Sequence, residues 1–178
     1  MLLEKKAVTD KGTTDQTTPL FIACQKNHVE IVKLLLDNKA DINKYTDEGI
    51  SPLFIACKNN HTDVVNLLLN KKADIDSCNL CGVSPLAVAC YEGHIDIVKI
   101  LLEKGADYTT KAIKDKNEGE VFLLSSEQIA SGYGHPDIAA LISKHSKQKK
   151  NKARHWYYWI LFTVRIVKIF MDHTISNV

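Results

Sequence analysis

The chain has 178 residues, 45% of them hydrophobic and 25% charged, which is enough apolar material for a buried core and too much for disorder throughout. Its 23 basic and 21 acidic residues leave a formal charge of +2, a balance that argues against nucleic acid as the main partner. Glu4, Lys5 and Lys6 interrupt the N-terminus before any apolar run of signal-peptide length, which argues against export, and five cysteines without a compact disulfide framework point to a reducing, cytosolic or nuclear compartment.

An internal period organises everything else. Thr18-Pro19-Leu20 returns as Ser51-Pro52-Leu53 and as Ser84-Pro85-Leu86, each 33 residues on, and His28, His61 and His94 keep the same step. Residues 18–50 and 51–83 share 17 identities in 33 positions. A fixed period of this length signals stacked supersecondary units, each unable to bury its apolar face alone.

In chain order, residues 1–17 read as the tail of a repeat whose first helix is missing: shifted by one period, Leu2-Leu3 falls on Leu35-Leu36 and Thr13 on Thr46. This favours a longer array. Residues 18–50 form the first complete unit. Thr18 is placed to cap a helix with Pro19 at its first position, Leu20, Ile22 and Ala23 give that helix an apolar side, and Asn27 before His28 suits a left-handed turn. Ile31, Val32, Leu34, Leu35 and Leu36 then mark a second amphipathic helix.

The pattern repeats over 51–83, and over 84–124 with a longer loop. Lys39 and Lys72 occupy the position after the second helix that Gly105 fills in the third unit, so two left-handed caps are expected to be strained. Residues 125–145 read as a degenerate terminal repeat in which Ser126-Glu127-Gln128 replaces the opening triplet; Gly134-His135 lies 41 residues after Gly93-His94, implying eight inserted residues. Residues 146–178 are a tail, basic and then aromatic, with both tryptophans at 156 and 159. That tail reads as a helix folded on the last repeat, a non-native extension, or an interfacial membrane segment over 147–178, with Arg165 and Lys168 counting against a full span.

The segments TPLFIAC, SPLFIAC and SPLAVAC, the pairs NH, NH and GH, and the runs NKAD, KKAD and KGAD resemble the ankyrin repeat over about residues 2–145. Phe21, Phe54 and Ala87 stand where that family has a histidine. The resemblance implies an all-α solenoid of helix-turn-helix units with hairpin-like finger loops, without catalysis or cofactor, that binds a protein partner through its fingertips and first helices. Carried over by position, that surface is Gln25, Lys26, Lys44, Tyr45, Asp47, Glu48, Lys58, Asn59, Ser77, Asn79, Leu80, Tyr91 and Glu92, with Tyr45, Leu80 and Tyr91 as anchors. Asn43, after the ADI run, matches the position that an asparaginyl hydroxylase modifies in some members.

The histidine column reads as structural capping of the inter-helix turns, because a one-repeat spacing does not converge on a metal. Cys24, Cys57 and Cys90 read as small core residues. Cys78 and Cys81 form a CxxC without a second ligand pair, which favours an ordinary finger loop over zinc or redox chemistry. The alternatives to a free-standing binding module are a membrane-associated adaptor and a piece of a larger protein whose chemistry lies elsewhere.

Overall fold

The computed structural model describes residues 10–109, 111–114 and 121–154. It divides into two compact units, Met1–Ile142 and Ser143–Val178. The aromatic segment from residue 155 onward, and residues 1–9 of the N-terminal partial repeat, lie outside the described residues.

In the first unit three helix pairs follow one another: α1 (Pro19–Gln25) and α2 (Val29–Asp37), α3 (Pro52–Lys58) and α4 (Thr62–Asn70), α5 (Pro85–Glu92) and α6 (Ile95–Glu103). Each first helix begins the same way. The hydroxyls of Thr18, Ser51 and Ser84 accept from the amides of Phe21, Phe54 and Ala87 at 3.1–3.2 Å, and the next residue is a proline whose missing N–H is one the first turn leaves unpaired anyway. Each second helix ends the same way too. Lys39, Lys72 and Gly105 take the left-handed conformation, and the amides of Ala40, Ala73 and Ala106 reach back to the carbonyls of Leu35, Leu68 and Leu101 in a Schellman motif. The expected strain at the two lysines is present, at φ 66° in both.

The fourth pair departs from expectation in its register. α7 (Ser126–Gly132) is capped by Ser125, one residue earlier than Ser126, because Gln128 returns a bond to the Ser125 amide and so completes a capping box. Ser126 is thereby turned inward and buried. After Gly134, at φ 85°, residues 136–142 are helical and add Ile138, Ala139 and Ile142 to the core. The insertion before α7 is no plain loop: β1 (Lys111–Lys114) pairs antiparallel with β2 (Val121–Leu124), Lys111 opposite Leu124.

The core is one continuous cluster along the stack, with Leu20, Leu53 and Leu86 and the thiols Cys24, Cys57 and Cys90 recurring at equivalent places. These three cysteines are buried and free, as expected of small core residues. In the second unit residues 143–154 are helical, and Lys147, Lys149, Lys150, Lys152 and Arg154 lie on exposed backbone positions. Among the described residues no helix is long and apolar enough to cross a membrane.

Candidate partner-binding groove

Between each helix pair and the next, the chain runs out into a finger. The fingers repeat bond for bond: the amides of Thr13, Thr46 and Asn79 donate to the carbonyls of Thr17, Ile50 and Val83, and the amides of Gln16, Gly49 and Gly82 close back on Thr13, Thr46 and Asn79. Adjacent fingers are tied by their backbones, Asp47 N–H to the Asp15 carbonyl and Leu80 N–H to the Glu48 carbonyl, both at 3.1 Å.

A second column pins the fingers to one another. Oxygens of the Asp10, Asn43 and Asp76 side chains accept from the amides of Asp41, Asp74 and Asp107 at 2.9–3.0 Å, each donor 31 residues ahead. Sequence reasoning passed over Asp10 and Asp76 in this role, although their 33-residue spacing was there to be read. Asn43 is therefore a half-buried member of the column, and its carbonyl oxygen is engaged by Asp74.

The histidines stitch the helices together in parallel. Nε2 of His61, His94 and His135 lies 3.0, 2.9 and 3.2 Å from the carbonyls of Gln25, Lys58 and Tyr91 in the preceding repeat. A carbonyl can only accept, so Nε2 carries the proton. His28, His61 and His94 sit at the N-caps of their helices but make no side-chain cap bond there, so the role of His61 and His94 is inter-repeat clamping and not capping of the local turn.

With fingers and helices fixed, the space between them is a groove. One cavity of about 280 Å³ has an apolar floor of Ile50, Phe54, Val83, Ala87 and Val88, with Glu48, Lys58, Asn79, Tyr91, Glu92 and Tyr133 around it. Tyr91 and Tyr133 meet edge to face, ring centroids 4.3 Å apart and planes at 61°. A wider cavity of about 700 Å³ adjoins it through the shared Glu48 and Ile50, and takes in Asp15, Phe21, Ile22, Gln25 and Asp47.

The residues marked from sequence sort into three groups. Gln25, Asp47, Glu48, Lys58, Asn79, Tyr91 and Glu92 line the groove. Lys44, Tyr45 and Leu80 stand on the fingers outside its lining, with Leu80 77% exposed, and Lys26 is exposed at the end of α1. Asn59 and Ser77 are engaged internally, Asn59 donating to the Gln25 carbonyl at 3.1 Å and the Ser77 hydroxyl facing that of Ser51 at 3.3 Å. Asn79 also works for the fold, since its Oδ1 accepts from the amides of Cys81 and Val83.

Tyr133 was missed, for a reason visible in the sequence: it lies in the degenerate repeat, where the motif that locates first-helix residues has decayed. Cys78, exposed, and Cys81, half-buried, lie in the third finger, with the Cys78 thiol donating to the Asp76 carbonyl at 3.4 Å. Among the described residues no cluster of three His, Cys, Asp or Glu side chains is arranged to hold a metal ion.

Comparison with known families agrees with this geometry. A model for three copies of ankyrin repeats matches residues 40–112, and a single ankyrin-repeat model matches residues 15–47. No curated protein matches the chain. Ankyrin repeats are generally protein–protein interaction modules and generally non-catalytic. With repeat geometry and family models in register across residues 15–112, the chain belongs to the ankyrin-repeat family.

Proposed function

We propose that the chain is a non-catalytic adaptor that holds a segment of a protein partner in the groove between its fingers and first helices. The observation that carries this reading is the groove itself: an apolar floor in which Ile50 and Val83 are half-buried, beside two exposed tyrosines, Tyr91 at 46% and Tyr133 at 52%. Aromatic side chains beside a concave apolar surface supply most of the energy in protein interfaces. The hydrogen-bonded columns support the same reading, because a binding surface held rigid in advance loses less entropy on association.

Tyr45 and Leu80 on the fingers extend the contact surface beyond the groove, and a reducing compartment suits the buried thiols of Cys24, Cys57 and Cys90. A photo-crosslinking residue placed at Tyr133, and separately at Lys33 on the exposed face of α2, tests this in cells. Protein adducts formed from position 133 and not from position 33 are the expected outcome; adducts of equal yield from both, or none from 133, would remove the groove as the binding surface.

A further inference from the structure

The groove is polarised against the charge of the molecule. The chain as a whole carries +2, yet the two contiguous cavities are lined by four carboxylates, Asp15, Asp47, Glu48 and Glu92, and by one cation, Lys58. Two ion pairs lie outside the groove, Asp37 with Lys71 at 2.9 Å and Asp96 with Lys99 at 2.8 Å. Asp47, Glu48 and Glu92 form no ion pair among the described residues. Asp15 is held in its ionised form by the hydroxyls of Thr13 and Thr17, which hydrogen-bond the carboxylate and lower its pKa.

The tyrosines add to the same preference. Ring faces are electron-rich and attract cations, and Tyr91 and Tyr133 line the same cavity as Glu48 and Glu92. The floor beneath, from Ile50 to Val88, takes aliphatic side chains and no charge. Resting on the groove reading above, we infer that the occupant is an extended basic segment of a protein partner, Lys or Arg alternating with aliphatic residues, with one cationic side chain seated against Tyr91 and Tyr133. Phosphate-bearing ligands would meet four like charges there, which argues against RNA or an anionic lipid surface in this groove.

The test uses the full chain and three fluorescein-labelled heptapeptides, Lys and Leu alternating, Glu and Leu alternating, and Ser and Leu alternating, read by fluorescence anisotropy at low and at physiological salt. The cationic peptide is expected to bind at least about tenfold more tightly than the neutral one, to weaken as salt rises, and to lose about tenfold with the paired substitution Glu48→Gln and Glu92→Gln or with Tyr133→Ala. Glu30→Gln, exposed on α2 outside the groove, is the control and should change nothing. Helical circular dichroism of each variant confirms that the array is intact. Neutral and cationic peptides binding equally, with both sensitive to Tyr133→Ala, would overturn the charge preference and leave the groove reading standing. Binding of none of the three would overturn the inference, while the crosslinking at position 133 judges the groove by itself.

Discussion

Repeat one and its two successors carry nearly the same residues at the same positions and treat them oppositely. Ile22 and Ile31 are 43% and 47% exposed, whereas Ile55 and Val64, one period on, are 7% and 0%, and Val88 and Ile97 are 6% and 0%. Leu34 is 51% exposed, while Leu67 and Ile100 are partly buried against the core. His61, His94 and His135 each bond a carbonyl of the preceding repeat; His28 at the matching place has no such bond among the described residues. Burial in a solenoid therefore belongs to the interface between repeats and not to the repeat. The side of repeat one that faces repeat two shows the complement, since Leu20, Cys24 and Val32 are fully buried.

The sharpest way to break the equivalence is a matched truncation. Ile97→Ala removes a fully buried side chain from the centre of the stack and should cost about 2–5 kcal/mol; Ile31→Ala, at the equivalent position in repeat one, should cost about 1 kcal/mol or less. Urea titrations followed by circular dichroism measure both. Equal losses would mean that repeat one is as well covered as repeat three.

The turn before each histidine offers a second contrast. Asn27 and Asn60 hold the left-handed conformation at φ 59° and 61° that Gly93 holds at 78°. At Gly93 a Cβ would also lie 2.4 Å from Cε1 of His135, so Gly93→Ala adds a clash to the backbone cost and displaces the ring from the Tyr91 carbonyl. A loss of about 2–3 kcal/mol is expected, the sum of about 1–2 for the backbone and about 1 for the hydrogen bond. Asn60→Gly at the matching place should instead be neutral or slightly stabilising. Thermal unfolding of the pair compares them directly.

Much of this was legible beforehand because the repeat is written in local chemistry. Thr18, Ser51 and Ser84 followed by proline announce three helix starts, and the asparagine or glycine before each histidine announces three left-handed turns. What was not legible is whatever one repeat does to the next. The histidines look like local caps until the preceding carbonyl is in place, and Asp10, Asn43 and Asp76 look like solvated polar residues until the fingers stack. The last repeat was misread by one residue because its cap depends on Gln128 reciprocating with Ser125, a side-chain bond that the decayed triplet does not advertise. Of the anchors, Tyr91 reached the groove because the first-helix motif fixes its position, while Tyr45 and Leu80 sit on fingers whose side-chain direction the motif leaves open.

The buried thiols test the inner side of the comparison, where repeat one is expected to behave like the others. Burial pushes the thiols of Cys24 and Cys90 up to about 12, and raises that of Cys57 as well. A raised folded-state pKa contributes stability that is complete below the ordinary thiol value of 9.0 and falls as pH climbs from there toward 12, because the unfolded chain can ionise and the folded one cannot. Each thiol should remove about 1.4 kcal/mol in total between pH 8 and 10, most of it above pH 9. Denaturant midpoints measured under reducing conditions at pH 8, 9 and 10 should fall less steeply, by that amount, in Cys24→Ala and in Cys57→Ala alike. A slope change in the central variant only would show that the first helix of repeat one is open to water on both sides.

The smallest expected effect concerns the ends of the second helices. Lys39 and Lys72 hold φ 66° where Gly105 holds 95° in the same Schellman motif, and both side chains are exposed. Neither ammonium makes a hydrogen bond or ion pair among the described residues, unlike that of Lys71, which pairs with Asp37. Replacing either lysine by glycine relieves a left-handed cost of about 1–2 kcal/mol and gives part of it back as unfolded-state entropy, leaving a gain of about 0.5–1 kcal/mol. Relief of backbone strain is local, so Lys39→Gly and Lys72→Gly should gain alike even though their repeats are covered so differently. A gain at Lys72 with none at Lys39, read from chemical denaturation of the two single variants, would show that the end of α2 frays before its cap can matter, and that the exposed face of repeat one weakens its helix along its whole length.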